Sequence, residues 1–250
     1  MIENPVHRIS VLVLARNEAE NLESLLPEVS RVLSAAGHDY DITVVDAASR
    51  DGTEAVARRH GASVIQQSAP GYANALRQGI AACAGDAILT IDADMSHRPS
   101  FILDLLDRRD DAEILIASRY VAGGSADMPA SRIVLSRVLN VLFGRLLGID
   151  VRDMSSGFRL YDRRIAQSLD ARGEHFDVLP ELVALALEAG HRVVEVPFHY
   201  HPRDAGVSKA RVIAFGPSYV RTLGRCIVAR WSSGRNRRGR DSSEVRGPLM

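Results

Sequence analysis

Residues 9–53 read ISVLVLARNEAENLESLLPEVSRVLSAAGHDYDITVVDAASRDGT, and this stretch decides the fold. Two short runs rich in β-branched residues, 9–15 and 41–46, enclose a helical pattern over 19–35. Strand, helix and strand in this order are typical of parallel sheets covered by helices. The alternation continues, with predicted strands at 62–66, 87–91 and 113–117 and predicted helices at 53–60, 73–82 and 101–107. We therefore expect an α/β fold with a mostly parallel central sheet flanked by helices.

Composition limits the class of protein. The chain has 250 residues, of which 46% are hydrophobic, so it can close one sizeable core. Its 31 basic and 31 acidic side chains give a formal charge of zero, which argues against nucleic acid as a partner. Cys83 and Cys226 fall at the end of or within predicted helices, and they indicate free thiols in a reducing compartment. Because the N-terminus lacks a signal sequence and no apolar run reaches about 18 residues, we expect a cytoplasmic location without a spanning helix.

Polar clusters follow three of the predicted strands. They comprise residues 16–18 after the first strand, 46–53 after the second and 92–97 after the fourth. In an open parallel sheet, ligands bind beyond the carboxyl ends of the strands, so these clusters are expected to converge. A glycine-rich dinucleotide fingerprint does not follow the first strand, which weakens a dinucleotide-binding interpretation.

The most informative of these clusters is the acid pair Asp92 and Asp94. If strand geometry persisted, both carboxylates and Ser96 would lie on one face. Carboxylate and hydroxyl oxygens suit Mg²⁺ or Mn²⁺, with a diphosphate completing the coordination. The alternative is an acidic turn that caps the helix following Pro99, and spacing alone does not separate the two interpretations.

Together these segments resemble glycosyltransferase family 2, and within it the dolichol-phosphate (polyprenyl-phosphate) mannosyltransferases. The residues that carry the resemblance are Arg16-Asn17-Glu18, Asp46, Asp51-Gly52-Thr53, residues 92–99, Ser118-Arg119-Tyr120 with Gly123-Gly124, residues 156–161, and Arg203 with Gly206, Ser208 and Lys209. Each motif is weak alone, but their order over about 200 residues is specific. The resemblance implies a GT-A type nucleotide-sugar-binding fold and a hexosyltransferase.

The resemblance also implies roles for individual residues. Asp92, Asp94 and Ser96 would hold Mg²⁺ or Mn²⁺, and Asp94, Arg119, Arg203 and Lys209 would be catalytic. Donor-binding residues would be Leu14, Arg16, Glu18, Asp46, Asp92, Ala93, Asp94, Arg119, Arg203 and Lys209, with Glu18 and Asp46 facing the nucleoside. The implied reaction is inverting transfer of a hexose, foremost mannose from GDP-mannose, to polyprenyl or dolichyl monophosphate.

The predicted helix 132–147 is unusually apolar. Its polar residues, namely Arg132, Ser136, Arg137, Asn140, Gly144 and Arg145, form one narrow stripe. Such a helix is deeply buried, dimerises, or lies in a lipid interface. A polyprenyl acceptor favours the lipid interface, with Arg132, Arg137, Asn140 and Ser156 as candidates for contact with acceptor or membrane.

Three regions are expected along the chain: a transferase domain over 1–210, an interfacial helix over 211–231, and a disordered basic tail over 232–250. Arginines near the C-terminus favour a peripheral position on the membrane surface. The sequence does not predict an oligomeric state.

Several departures from the family pattern leave the donor and the acceptor open. Ala47 stands where many relatives carry a second acid, so UDP-glucose is a possible donor in place of GDP-mannose. A soluble hydroxyl acceptor also fits the motifs, as does a non-catalytic nucleotide-sugar-binding module. His199 and His201 alternate on a predicted strand, and without a carboxylate nearby we interpret them as surface histidines.

Overall fold

A computed structural model describes residues 8–202 and 216–244, with the backbone alone for 231–244. The strands are β1 (Arg8–Ala15), β2 (Asp39–Asp46), β3 (Ser63–Gln66), β4 (Ala87–Asp92), β5 (Ile114–Ser118), β6 (Ser125–Ala126), β7 (Arg159–Asp162), β8 (Val193–Pro197) and β9 (His199–Tyr200). The helices are α1 (Ala19–Ala35), α2 (Thr53–Arg59), α3 (Tyr72–Ala82), α4 (Ile102–Asp107), α5 (Ala130–Leu147), α6 (Arg163–Ser168), α7 (Val178–Glu188) and α8 (Gly216–Glu244). Short 3₁₀ turns cover Pro99–Phe101 and Arg109–Asp111.

Seven strands form the central sheet in the order β3-β2-β1-β4-β7-β5-β8. All neighbours in this sheet pair in parallel except β7, which runs antiparallel to both β4 and β5. The remaining strands, β6 and β9, form a separate two-stranded parallel ribbon. The predicted α/β fold with a mostly parallel sheet is confirmed.

Helices cover both faces of the sheet, which explains why β1 is apolar along its length. Ile9, Val11, Leu12 and Val13 are all fully buried. One core cluster joins one face of the sheet to α1, α2 and α4, and the other joins the opposite face to α3, α5, α7 and α8. On the second face Gly79 of α3 lies directly against Leu12, so this glycine sets how closely the helix approaches the sheet.

The predicted elements of the first half agree with the structure to within about two residues at their ends. The last helix differs more. It is described from Gly216 onward, and residues 211–215 of its predicted span lie outside the described residues. It then continues to Glu244, so residues 232–244 are helical where the sequence analysis expected a disordered tail. Within the described ranges, no helix combines the length and the apolar character needed to span a bilayer.

Candidate active site

The loops after β1, β2 and β4 meet at one edge of the sheet. Asn17 links the first two, since its backbone N–H donates to Ser49 Oγ at 2.8 Å and its side chain accepts from Arg50 N at 2.8 Å. Asn17, Ala48 and Met95 adopt φ values of +50°, +54° and +60°, one residue in each loop. A left-handed conformation costs a non-glycine residue about 1–3 kcal/mol and concentrates at ligand sites. The strain therefore marks the edge that the sequence predicted.

Asp51 joins the second loop to the start of α1. Its carboxylate accepts hydrogen bonds from the backbone N–H of Ala19 at 3.1 Å and from the Thr53 hydroxyl at 2.5 Å. Burial alone would raise the pKa of Asp51, but these hydrogen bonds bring it below its ordinary value. Asp51 thereby supplies the cap that Glu18, at the N-terminus of α1, does not make with its own side chain.

Both acids that were predicted to face the nucleoside, Asp46 and Glu18, accept hydrogen bonds from other side chains of the protein. Asp46 is buried, and its carboxylate accepts hydrogen bonds from the Ser49 hydroxyl and from Gln66 Nε2 at 3.2 Å. Glu18 accepts a hydrogen bond from Asn21 Nδ2 at 2.6 Å. The structure therefore places both acids at the predicted edge and fixes their orientation.

The other predicted donor residues occupy the same edge. Leu14 pairs with Asp92 across β1 and β4 and is half-buried. Arg16 is exposed just beyond β1, whereas Ala93 is buried just beyond β4.

The two acids of the predicted metal site differ in exposure. Asp92 ends β4 and leaves 40% of its side chain exposed, whereas Asp94 is only 4% exposed. The strand does not persist beyond Asp92, because Met95 turns the chain. Asp94 Oδ1 accepts hydrogen bonds from the backbone N–H of Ser96 at 3.1 Å and from its hydroxyl at 2.5 Å. Ser96, predicted as a metal ligand, is fully buried and holds the Asp94 carboxylate in place.

His97 supports Asp92 from the interior. Its Nδ1 accepts the Asp92 backbone N–H at 3.1 Å, and its ring stacks on Phe158 with 4.9 Å between centroids. Nε2 lies 3.7 Å from the Asp92 carboxylate. Burial lowers the pKa of His97 below its ordinary value, although the acids nearby oppose that effect. The imidazole is accordingly a neutral support for the acid pair at pH 7.

Tyr72 and Gly157 flank the exposed acid from the other side. A Cβ atom added at Gly157 would lie 3.1 Å from the Tyr72 hydroxyl and 3.4 Å from Asp92 Oδ1. The Tyr72 ring stacks on Phe176 at 4.3 Å. Burial, reinforced by the charge of Asp92, raises the pKa of Tyr72 well above 10. A neutral phenol thus borders the predicted metal site, a neighbour that the sequence analysis did not predict.

Arg119 is held in an internal ion pair. Its guanidinium donates to both carboxylate oxygens of Asp153 at 2.7 Å and to Ser155 Oγ at 2.9 Å. Burial alone would raise the pKa of Asp153, but the guanidinium beside it lowers that pKa below its ordinary value. The sequence predicted a catalytic and donor-binding role for Arg119, and that role stays a prediction. The structure adds that two of its nitrogens donate to Asp153, a partner that sequence reasoning missed.

Part of the polar stripe of α5 faces the protein, whereas its members Arg137 and Arg145 are exposed. Ser136 Oγ and Asn140 Nδ2 lie 3.0 and 3.1 Å from Ser155 Oγ, and Asn140 is buried. Arg137 lies over the Tyr120 ring at 5.1 Å from its centroid. These contacts connect α5 to the Arg119 ion pair and line one wall of an open cleft of about 520 Å³.

The apolar side of α5 faces outward. Val134, Val138, Val141, Leu142 and Leu146 are 45–60% exposed. Deep burial, one of the three interpretations of this helix, is therefore wrong for that face. Only Asn140, Phe143 and Leu147 of α5 are buried.

The remaining predicted contacts are placed as follows. Arg132 is half-buried near the start of α5. Ser156 is buried and accepts hydrogen bonds from the Phe158 N–H and, through its carbonyl, from Arg159 Nε at 2.7 Å. Arg203 and Lys209 lie outside the described residues, so the cationic clamp stays a prediction.

Comparison with known proteins places this site in a family. The model of "Glycosyl transferase family 2" matches residues 10–170, which include the acid pair and all strands from β1 to β7 except the first two residues of β1. The chain belongs to glycosyltransferase family 2. This confirms the predicted family and the predicted enzyme class, a glycosyltransferase.

Two relatives indicate which subgroup of family 2 the chain resembles. A polyprenol monophosphomannose synthase of Mycolicibacterium smegmatis is 34% identical over 227 residues, with 82% of each chain covered. A dolichol-phosphate mannosyltransferase of Pyrococcus furiosus is 30% identical over 214 residues, with 82% of this chain but 59% of that protein covered. The predicted resemblance to polyprenyl-phosphate mannosyltransferases is therefore confirmed.

Solved structures confirm the GT-A type of fold. Glucosyl-3-phosphoglycerate synthase from Mycobacterium tuberculosis, in complex with Mn²⁺, UDP and phosphoglyceric acid, has a TM-score of 0.68 at 21% identity and covers 88% of this chain and 78% of its own. The same enzyme with Mg²⁺ and UDP has a TM-score of 0.67 at 22% identity, covering 88% and 79%. The expected divalent cofactor agrees with the metals in these family 2 structures.

Proposed function

We propose that this glycosyltransferase moves a hexose, mannose from GDP-mannose, onto a polyprenyl monophosphate at a membrane surface, with inversion at the anomeric carbon. The observation that carries the proposal is the orientation of α5, whose apolar face points outward while its polar face adjoins the site. The names of the two relatives support both the sugar and the class of acceptor.

Asp92 and Asp94 fit a hard divalent cation. Both offer carboxylate oxygens, one acid is open to solvent, and the other is held by Ser96. We assign them Mg²⁺ or Mn²⁺, which when bound neutralises charge on the departing diphosphate. His97 supports Asp92 from behind through its contacts with the Asp92 backbone and carboxylate, and burial lowers the pKa of this imidazole.

A phosphate monoester acceptor removes the need for a strong general base. Its second ionisation lies near neutral pH, so an oxyanion is already present. In the proposed step this oxygen forms a bond to the anomeric carbon while the bond to the nucleoside diphosphate breaks, which inverts the configuration. The protein then has to align the two reactants and steady the leaving group. Arg203 and Lys209 are the proposed clamp on the phosphates.

The outward face of α5 supports docking on lipid. Its five exposed apolar side chains lie at spacings of three, four and eight residues, so they form one stripe. Arg137 borders this stripe, whereas Arg145, three residues after Leu142 and four after Val141, lies within it near the end of α5; both line the cleft. An apolar stripe with arginines beside it and at its end suits the boundary between acyl chains and anionic headgroups. Val220 and Val228 on α8, a helix that packs against α5, are also 71% and 66% exposed.

A donor and acceptor panel tests the reaction. GDP-mannose, UDP-glucose and UDP-N-acetylglucosamine are each incubated with polyprenyl phosphate in vesicles, and the lipid-linked sugar is measured by mass. We expect mannosyl lipid from GDP-mannose. Glucosyl lipid from UDP-glucose would instead identify UDP-glucose as the donor. Turnover with only a soluble hydroxyl acceptor would contradict the proposal that the acceptor is a lipid. Binding of donor without turnover on any acceptor would indicate a non-catalytic module.

Docking is tested separately from catalysis. The double variant Val138→Asp, Leu142→Asp places charge in the exposed stripe. Each of these side chains is about half exposed, so its burial in lipid contributes about 1 kcal/mol to the free energy of membrane binding. Losing both contributions lowers the affinity for vesicles roughly thirtyfold. Activity on a short, water-soluble prenyl phosphate should persist.

The matched control is Ala55→Asp, an exposed position of α2 in the opposite helical layer. Equal vesicle binding by the double variant and this control would contradict docking through α5 while leaving the transfer reaction untouched.

A further inference from the structure

The ribbon of β6 and β9 brings two histidines and an aspartate together. Its register places Ser125 opposite His199, and the backbone N–H of Asp127 donates to the carbonyl of Tyr200 at 2.9 Å. The sequence analysis interpreted His199 and His201 as surface histidines because it found no carboxylate partner. The structure supplies one in Asp127, whose Oδ2 lies 3.0 Å from His199 Nε2.

The three side chains are close enough to share an ion. One ligand atom from each of Asp127, His199 and His201 lies within 4.8 Å of the others. The two imidazole rings meet edge to face with 4.5 Å between centroids. Ligands of a four-coordinate ion with bonds of about 2.0–2.2 Å are roughly 3.4 Å apart, so small side-chain rotations suffice.

Ser125 orients the ring of His199. Its hydroxyl lies 2.5 Å from Nδ1, which turns Nε2 towards Asp127. A hydrogen-bond partner on the second ring nitrogen is what metal-ligating histidines ordinarily have, because it fixes tautomer and orientation. Without an ion, Nε2–H donates to the Asp127 carboxylate and Nδ1 accepts from the Ser125 hydroxyl. For Nε2 to bind an ion its proton leaves that nitrogen, and a proton on Nδ1 is then donated to Ser125 Oγ.

We propose that Asp127, His199 and His201 form a site for a divalent transition-metal ion of the zinc type, in addition to the acid pair Asp92 and Asp94. The ligand chemistry of the two sites differs. Imidazole nitrogens select zinc, cobalt or nickel, whereas carboxylate oxygens alone suit Mg²⁺ and Mn²⁺. Three protein ligands leave room for water as the fourth.

The position of this site gives the ion a structural effect. Asp127 follows β6, and both histidines belong to β9 or its end, so a shared ion cross-links the ribbon. The backbone N–H of His201 donates to the carbonyl of Ser96 at 3.2 Å, so the ribbon also contacts the loop that carries Asp94. The ion would therefore stabilise the ribbon where it borders the acid pair.

Calorimetric titration of the full chain with Zn²⁺ tests the proposal, in the presence of excess Mg²⁺ and in the Asp94→Asn background, so that the acid pair does not contribute. One equivalent of Zn²⁺ should bind. The double variant His199→Asn, His201→Asn should lose this binding, and Ser125→Ala should weaken it about tenfold. With Co²⁺ as the probe, the site should give the visible absorption of a tetrahedral complex, and the same double variant should lose it.

The matched control is His60→Asn, which removes a surface histidine that lies 2.8 Å from a carboxylate of Glu23 but has no second histidine. It should bind Zn²⁺ as the parent does. Circular dichroism verifies that each variant is folded. Either of two results would overturn the proposal. The first is no Zn²⁺ binding in the Asp94→Asn background, which would mean that His201 binds the metal of the acid pair instead. The second is unchanged Zn²⁺ binding in the double histidine variant.

Discussion

Replacing Asp153 by asparagine tests whether Arg119 is held by the interior. Asp153 is fully buried, and its carboxylate accepts hydrogen bonds from the backbone N–H, Nε and Nη2 of Arg119 and from the Ser155 hydroxyl. The variant keeps the size of the side chain but leaves a guanidinium that is 11% exposed without its counter-charge. Breaking a buried pair in this way costs about 3–5 kcal/mol.

That cost is large beside the total stability of a domain, about 5–15 kcal/mol. For a chain of this size a loss of 1 kcal/mol lowers Tm by roughly 2–4 °C, so a drop of roughly 6–20 °C is expected. Thermal unfolding followed by circular dichroism, with urea unfolding at 25 °C, measures it. The control is Asp170→Asn, which removes a pair with Arg172 that is more than 70% exposed and should leave Tm unchanged.

A second variant separates stability from catalysis. Arg119→Met with Asp153→Leu removes both charges, and apolar replacement of a buried pair is often close to neutral. If Arg119 is also catalytic, this variant is stable but inactive. A loss below about 1 kcal/mol in Asp153→Asn alone would refute the structural role assigned to the pair.

Three further outcomes are expected. Gly79→Ala places a methyl group against a leucine of β1 and should cost about 1–3 kcal/mol in urea unfolding, whereas Gly224→Ala, on an open side of α8, should be neutral or stabilising. Burial raises the thiol pKa to about 12 at Cys83 and to about 11 at Cys226, so both should resist Ellman's reagent at pH 8 until the protein unfolds. Because the pKa of Asp153 is depressed in the folded state, its contribution is present above pH 3.8 and is lost as pH falls below that value, so Asp153→Asn should flatten the acid side of the stability profile.

The sequence predicted the first half of the fold well because buried strands and their polar ends leave a direct pattern. Ile9 to Val13 are apolar at nearly every position since both faces of β1 are covered, and the loops after β1, β2 and β4 carry the acids. The same pattern located Asp92 and Asp94. It did not predict that β7 would insert antiparallel between β4 and β5, because four residues carry no information on pairing direction.

Two features of the site depend on contacts that sequence spacing does not reveal. Asp153 lies 34 residues from Arg119, and only the fold brings them together. The apolar composition of α5 likewise does not tell which face is buried. In the structure Asn140, Phe143 and Leu147 are the buried residues of α5, and Asn140 donates a hydrogen bond to Ser155.

The reaction proposed for this family 2 enzyme is metal-dependent transfer of mannose to polyprenyl phosphate. The most direct measurement is mannose transfer from GDP-mannose to polyprenyl phosphate by the wild type and Asp94→Asn, each with Mg²⁺ or Mn²⁺ and with chelator. We predict mannosyl lipid of inverted anomeric configuration from the wild type with metal, and none with chelator or from Asp94→Asn at an unchanged Tm. Undiminished transfer by Asp94→Asn, or by the wild type in metal-free buffer, would contradict the proposed metal-dependent mechanism.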